Sequence, residues 1–551
     1  MISPHSKFIS DINLAEILYK KNDFKASKKI YQKLLKNDLE NIFFLEKIAG
    51  ICIRLNQYEE ATAYFSTLER LAPNNVLFVC NFAYALDKIG QFDLAIKVLN
   101  RAKEIDSSEI SIYLNQTVSF CNLKKFDLAK ESALHALKLE PLSAITLNNF
   151  GAVMQKLGDN ASAKAAFETA ASIDNSYMEA KINLAAVNIL TKEYDKALFL
   201  LESELGRVDP ESSTAKFLKV KLAYEYLRCG RLTEGWKCYE FALDREIPFE
   251  NSRWPKRSFN KPKWVGQNIK GKTILIWGEQ GIGDEIIFAT CIKDLINEGC
   301  EIIIECQKRL VDSFARSFKN VKVRESDFSI ISPFSSPNND YDYHLPIASL
   351  MSFYRNNIHD FVNSAPYMIV NKNWAEEFEN RLTISNKKYR IGICWRSGII
   401  NPERNPNNTS LLDWGSIFNL NNFEFVNLQY GECELELKAA EERFNINILR
   451  WSDLNLKDDI DKTLSLISRL DFVISIGSAV FSMAASVGVK VFVLLPQKTW
   501  DQFGTNYYPF FPNVEVFSPL KSDIQAEALE YVTQRIEEIT SPPEDELQPK
   551  N

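Results

Sequence analysis

Histidine is scarce in this chain, with four among 551 residues, and no two of its ten cysteines form a CxxC pair. A zinc cluster is therefore not expected. The cysteines (Cys52, Cys80, Cys121, Cys229, Cys238, Cys291, Cys300, Cys306, Cys394 and Cys433) fall mostly in apolar helix or strand patterns, where buried thiols are common. A reducing cytoplasm fits that usage. A basic excess is also missing. The formal net charge is -7, and no domain gathers the Lys and Arg that phosphate backbones require, which argues against nucleic acid as a partner. No apolar run reaches the roughly 20 residues of a membrane helix. The start, MISPHSKFISD, lacks a basic segment followed by an apolar core, so no secretory signal is expected. What is present is a soluble balance, 46% hydrophobic and 25% charged, in a chain too long for one core. Two to four domains are expected.

The first half repeats. Phe24, Tyr58, Phe92, Phe126, Asn160 and Tyr194 stand 34 residues apart, and three places on come Ser27, Ala61, Ala95, Ala129, Ala163 and Ala197. A second small column runs through Ala15, Ala49, Ala83, Thr117, Gly151 and Ala185. Each unit holds two apolar patterns of helical spacing around a polar turn, so the small columns mark close helix approaches and the aromatic fills the space between. Period and columns resemble the tetratricopeptide repeat. Six units run from about Phe8 to Glu211 and a degraded seventh from near Lys216, which gives a repeat superhelix over 8–249.

A further column holds Asn13, Asn81, Asn115, Asn149 and Asn183, with Lys47 in the second unit. In superhelices of this kind the position faces the concave groove. A carboxamide both donates and accepts, so Asn81, Asn115, Asn149 and Asn183 form a candidate ladder for the backbone of an extended peptide. The same residue also suits a purely local role within the helix pair, and both readings stand.

Residues 250–271 are rich in Pro, Lys and Trp without periodicity and read as a linker. The organising stretch follows, KTILIWGEQGIGDEIIFAT at 272–290. A β-type run, Thr273–Trp277, enters a turn with Gly278, Gly281 and Gly283, then Asp284 and Glu285, then a helix start. α/β enzymes place reactive groups in such turns. Alternating strand and helix patterns predict a parallel sheet over 272–385, with strands at Glu301–Cys306 and Val321–Arg324 and a returning loop, YDYHLPIASL, that brings His344 to the cleft. A second set over 386–540 has strands at Arg390, Phe423–Leu428, Asp471–Ser475 and Val489–Leu495. Between the last two, Ser478 caps a helix from Ala479 to Val487 closed by Gly488, a ready anion site. The end, 541–551, is expected to be disordered.

The order of repeats, PKWVG, GKTILIWGEQGIGDE, WRSG and a strand-Gly-Ser-helix segment ending in VFVLLP resembles bacterial tetratricopeptide-repeat glycosyltransferases. Their catalytic part is similar to heptosyltransferases of glycosyltransferase family 9. The layout is similar to that of flagellin-modifying and O-linked protein glycosyltransferases. The resemblance implies an α-solenoid followed by two Rossmann-like lobes of GT-B type, an acceptor lobe at 272–385 and a nucleotide-sugar lobe at 386–540. It implies cytoplasmic transfer of a sugar from a nucleotide-sugar to a protein held by the repeats, with inversion, no metal and no other cofactor. A saccharide or lipid-linked acceptor, or a scaffold with a decayed transferase, are the rival readings. The family's general base falls on Asp284, which otherwise would only cap its helix. Glu279, Gly281, Gly283, Trp395 and His344 are candidate cleft residues. Where the family usually carries Asp-Thr and then His, this chain has Gly477, Ser478 and Ser482, which leaves the donor unidentified. Arg396, with Arg404 as second choice, is the candidate cation for a diphosphate or carboxylate.

Overall fold

The computed structural model describes residues 4–244, 246–248, 251–326, 340–382, 387–398, 408–495, 497–517 and 524–541. The chain divides into two compact units, Met1–Leu201 and Glu202–Asn551.

The first unit is a row of helix pairs. First helices are Pro4–Lys20, Ile42–Arg54, Val76–Lys88, Ile110–Asn122, Ala144–Lys156 and Met178–Leu190. Second helices are Phe24–Leu35, Tyr58–Leu71, Phe92–Ile105, Phe126–Leu139, Asn160–Ile173 and Tyr194–Leu205. Each second helix opens on the residue of the aromatic column. Both small columns are buried throughout, because the paired helices close on each other there. At Gly151 the contact is tightest: a Cβ would lie 2.8 Å from the ring of Phe167.

The first helices Val76–Lys88, Ile110–Asn122, Ala144–Lys156 and Met178–Leu190 also pack one on the next, which puts them on the inner curve of the row. The asparagine column lies along that curve. Asn115 Nδ2 donates to the Cys80 carbonyl at 3.1 Å and Asn183 Nδ2 to Asn148 Oδ1 at 2.9 Å. These two carboxamides therefore tie one first helix to the preceding one. Asn81 is exposed and Asn149 half-buried.

The seventh pair, Ser213–Arg228 and Leu232–Tyr239, lies in the second unit. By sequence it continues the repeats to 249. By packing it joins the α/β region, because Leu227, Trp236 and Tyr239 enter that region's core and Trp236 Nε1 donates to the Arg355 carbonyl at 2.7 Å.

Two parallel sheets follow. The first orders its strands β3-β2-β1-β4, with β1 Thr273–Trp277, β2 Glu301–Cys306, β3 Lys322–Glu325 and β4 Tyr343–Pro346. The fourth strand replaces the expected loop; it pairs with β1, Leu275 opposite His344, and proline at its end suits a sheet edge. The second orders its strands β10-β9-β8-β5-β6-β7, with β5 Tyr389–Cys394, β6 Phe423–Asn427, β7 Ile448–Leu449, β8 Phe472–Ile476, β9 Lys490–Leu494 and β10 Val514–Phe517. In chain order this is 3-2-1-4-5-6 reversed, the order of a doubly wound sheet. Both faces of β8 and β9 are buried, as covering helices require. The two strands of this second sheet that sequence reading missed, β7 and β10, are short edge strands with weak hydrophobic runs.

All nine tryptophans lie in the second unit, so their fluorescence reports that unit alone. Gly151→Val, which overpacks Phe167, is expected to destabilise the helix row by about 1–3 kcal/mol. Denaturant titration should show an earlier transition by circular dichroism with the tryptophan transition in place; an unmoved circular-dichroism midpoint would contradict the tight contact.

Candidate active site

In each sheet the chain order reverses between two neighbouring strands: β1 and β4 in the smaller, β5 and β8 in the larger. Crevices at the carboxyl ends of strands at such points are where open α/β sheets bind ligands. The stretch after β1 carries the GEQGIGDE motif, and the stretch after β8 carries Gly477 and Ser478.

The motif is tied down on its outer side by a buried ion pair. Arg253 and Glu279 are both fully buried. Arg253 Nε donates to Glu279 Oε2 at 2.7 Å, and a second bond joins Nη2 to Oε1. Glu279 Oε1 also accepts the Ala348 N–H at 3.1 Å, joining the turn after β1 to the end of β4. Arg253 further donates to Glu240 Oε1 at 2.8 Å and Ser349 Oγ at 3.1 Å. Glu279 is thus a counter-ion and an anchor. The turn itself passes through Gln280, in the left-handed region at φ 64°. The helix starts sooner than the glycine spacing suggests: it spans Ile282–Phe288, and Gly283 lies inside it.

Asp284 occupies the third position of that helix, and its Oδ2 accepts the Gly281 N–H at 3.0 Å. It caps the helix and remains partly exposed. Burial raises its carboxyl to about 6, with repulsion from Asp501 and Glu279 adding to the rise and the Gly281 N–H opposing it. Glu285, next along, is fully buried. Its Oε2 accepts the Gln307 N–H at 3.2 Å, and its Oε1 has no hydrogen-bond partner among the described residues. A Cβ on Gly278 would lie 2.6 Å from the Glu285 carboxyl carbon, so only glycine fits beneath it. Burial pushes Glu285 up to about 8, and it is mainly a neutral acid at pH 7.

Aromatic side chains wall this corner. Trp500 stacks with Phe288, one helical turn beyond Asp284, at 6.4 Å between centroids and with Tyr239 at 6.2 Å. Tyr224 meets Trp500 edge-on at 6.0 Å. Tyr224 and Tyr239 come from the seventh helical pair.

On the other side, Ser478 precedes the helix Ala479–Val487, which ends at Gly488 with φ 92°. The Ser478 side chain does not cap the helix. Its Oγ lies 3.1 Å from Ser475 Oγ and 3.7 Å from Cys394 Sγ, which places the ends of β5 and β8 side by side. Gly477 is exposed. Ser482 is buried, and the reason is Gly283: a Cβ there would lie 3.1 Å from Ser482 Oγ and 3.4 Å from Ala479 Cα. The motif helix and the Ala479–Val487 helix therefore touch through their smallest residues, and Ser482 belongs to that contact.

The remaining candidates are placed as follows. Trp395 is fully buried and donates to Glu436 Oε2 at 3.3 Å. Arg396 Nε binds both oxygens of Glu436 at 3.0 and 2.9 Å, and its Nη2 the Glu432 carbonyl at 2.5 Å, so its guanidinium is already engaged. His344 is a strand residue stacked on Phe259 at 3.9 Å; burial lowers it to about 4. It does not reach the cleft from a loop. Arg404 lies outside the described residues. Among the described residues, no group of three or more His, Cys, Asp or Glu could hold a metal ion, and no helix is long and apolar enough to cross a membrane. Sequence reading overlooked Arg253, Tyr224, Trp500 and Asp501. The Trp-Asp pair in KTWDQF follows the VFVLLP strand directly and was the one local signal.

The model of the tetratricopeptide repeat family matches residues 12–41 and 78–109. The first unit is built of tetratricopeptide repeats. Over 509 residues the chain is 25% identical to "Protein FlbA" of Caulobacter vibrioides, covering 90% of this chain and 79% of that protein. Over 180 residues it is 25% identical to "Tetratricopeptide repeat protein 8" of Caenorhabditis elegans, covering 32% and 36%. A solved tetratricopeptide repeat protein from Parabacteroides merdae aligns at a TM-score of 0.36 and 15% identity, covering 39% of this chain and 84% of that one.

Two outcomes follow from the buried charges. Arg253→Met leaves Glu279 uncompensated and is expected to cost about 3–5 kcal/mol, read as an earlier tryptophan-fluorescence transition in denaturant. Glu285 binds its proton more tightly folded than unfolded, so the folded state loses stability as pH rises from the ordinary 4.5 to about 8. Glu285→Gln should flatten that loss, by an amount on the order of a few kcal/mol; an unchanged slope in denaturant titrations across this range would refute it.

Proposed function

We propose that the second unit is a glycosyltransferase of GT-B type acting on a protein captured by the repeats. The single observation that carries this reading is the contact of Gly283 with Ala479 and Ser482. It brings a carboxyl raised to about 6 and the open start of a nine-residue helix to adjoining helices at the two sheet-reversal points.

The chemistry follows from those parts. The donor's diphosphate lies over the start of the Ala479–Val487 helix, where N–H groups and the helix dipole favour an anion and the Ser478 hydroxyl adds a donor. The acceptor hydroxyl attacks the anomeric carbon from the opposite face while Asp284 takes its proton. As the new C–O bond forms, the bond to the diphosphate breaks, and the leaving charge is met by the helix start. Above about pH 6 Asp284 is mainly ionised and competent as a base. Tetratricopeptide solenoids expose long concave surfaces that bind proteins, and the inner curve of the helix row takes that part in acceptor capture.

The scaffold reading draws on one observation, the engagement of Arg396 by Glu436. Against decay stands the place of Ser482: it is buried and its Oγ lies 3.1 Å from where a Cβ on Gly283 would stand, so it serves the helix contact.

The decisive measurement is thermal stabilisation by nucleoside diphosphates and nucleotide-sugars. Gly477→Val, beside the crevice, should weaken it; no stabilisation of the parent by any of them would sink the enzyme reading. Asp284→Asn should keep nucleotide binding and lose about a hundredfold or more in transfer. Replacing Asn115, Asn149 and Asn183 together with Ala should weaken acceptor capture by a few kcal/mol at most, at about 0.5–1.5 kcal/mol per pair. Because Asn115 and Asn183 also bond between repeats, circular dichroism must first show the row intact. Full modification of a protein acceptor by an intact triple variant would place the acceptor outside the groove.

A further inference from the structure

We propose that the inner curve of the helix row binds an extended acidic peptide, with its carboxylates along a basic stripe on one side of the groove and its apolar side chains along an apolar stripe on the other. This rests on the reading of the inner curve as the place of acceptor capture, and it names the chemistry of what is captured.

The asparagine column has a companion on each side. Four places before it stand Ile9, Phe43, Leu77 and Ile145, and seven places after it Lys20, Arg54, Lys88 and Lys156. Offsets of four and eleven residues are close to whole helical turns, so all three sets share one face of the first helices. The outer two stripes lie about 16 Å apart at 1.5 Å per residue, with the carboxamides between them.

This face is the open one. In Val76–Lys88 the exposed residues are Leu77, Asn81 and Lys88. In Ala144–Lys156 they are Ile145 and Lys156, with Asn149 half-buried. Both helices pack against the second helix on either side and against a neighbouring first helix, so their other faces are taken. Ile9, Phe43, Leu77 and Ile145 are 45% to 52% exposed. Single apolar residues scattered over a surface need no explanation, but these recur at one register of the repeat and form a line.

Charge decides the occupant. The chain has a net charge of -7, yet Lys20, Arg54, Lys88 and Lys156 are all exposed. Among the described residues of the four helices that carry them, the exposed acid is Glu46. Asp11 and Glu16 are paired with Lys33 and Lys47 at 3.0 and 2.8 Å, and the buried Asp87 accepts from Ser119 Oγ at 2.9 Å. A chain bearing carboxylates complements this stripe. Its backbone meets the carboxamides, which a polyanion without peptide groups would leave unused. In the fourth repeat both stripes lapse: Ser111 Oγ donates to Glu109 Oε1 at 2.7 Å, and Asn122 Nδ2 to Asp87 Oδ1 at 3.2 Å. The grip is therefore strongest over the first three repeats.

The test is fluorescence polarisation of the full chain with labelled peptides of about four Leu-Ser-Asp repeats, and with the same peptides carrying Gln or Lys for Asp. That length crosses the row, at about 8–10 Å between packed helices and about 3.3–3.6 Å per extended residue. The Asp peptide should bind about tenfold more tightly than the Gln peptide, and added salt should erode the difference. R54E/K88E should reverse the preference, favouring the Lys peptide; if circular dichroism shows that variant unfolded, R54Q/K88Q should abolish the preference instead. L77S/I145S should weaken the Asp and Gln peptides alike. Equal binding of the Asp and Gln peptides by the parent overturns the acidic partner and leaves capture by the groove standing. Binding of none of the three overturns both. A preference unchanged in the folded charge variant, or affinity unchanged in L77S/I145S, overturns the assignment of the stripes. A single-stranded DNA of matching charge that binds as tightly as the Asp peptide overturns the peptide as occupant. No nucleotide-sugar enters this experiment, so a protein that transfers no sugar would end the enzyme reading and leave this one in place.

Discussion

Two helices that meet through glycine, alanine and serine set the geometry of the α/β region. With Gly283 against Ala479 and Ser482, the motif helix and the helix after β8 approach so closely that a Cβ on Gly283 would lie 3.1 Å from Ser482 Oγ. A larger side chain on either would push apart the carboxyl corner and the helix start across from it. The rest reads as support for that contact. The Arg253–Glu279 pair pins the turn that feeds one helix. The Pro366–Met368 segment grips the end of the other, with Tyr367 and Met368 N–H groups on the Ser486 carbonyl at 3.0 Å each.

The support is electrostatically costly, and the costs are unevenly met. Glu279 has a buried arginine and a backbone N–H. Glu285 has one N–H and a glycine floor, and resolves its burial by keeping its proton. Asp284 lies between these extremes, with one N–H and partial exposure. Three acidic residues within seven positions thus end in three different states, set by partners drawn from distant parts of the chain.

That division explains what sequence could and could not convey. The repeat period, both small columns, β1, β2, the Ser478–Gly488 helix and the C-terminal helix were legible, because each depends on local periodicity or a terminal signal. The place of Asp284 at a helix start after a glycine turn was legible too. The roles of Glu279 and Arg396 were not, since each depends on a partner, Arg253 or Glu436, whose pairing leaves no spacing rule. His344 misled because a four-residue edge strand with a terminal proline resembles a loop. Ser482 looked like a lost functional residue until its neighbour across the helix contact was known.

The seventh helical pair has the spacing of a repeat and serves as a wall of the carboxyl corner. It lends Tyr224 and Tyr239 to the carboxyl corner and braces the turn that carries Trp500. The row before Glu202 forms a compact unit of its own. The last pair thus keeps the length and spacing of a repeat while its buried face is committed to the core of the α/β region.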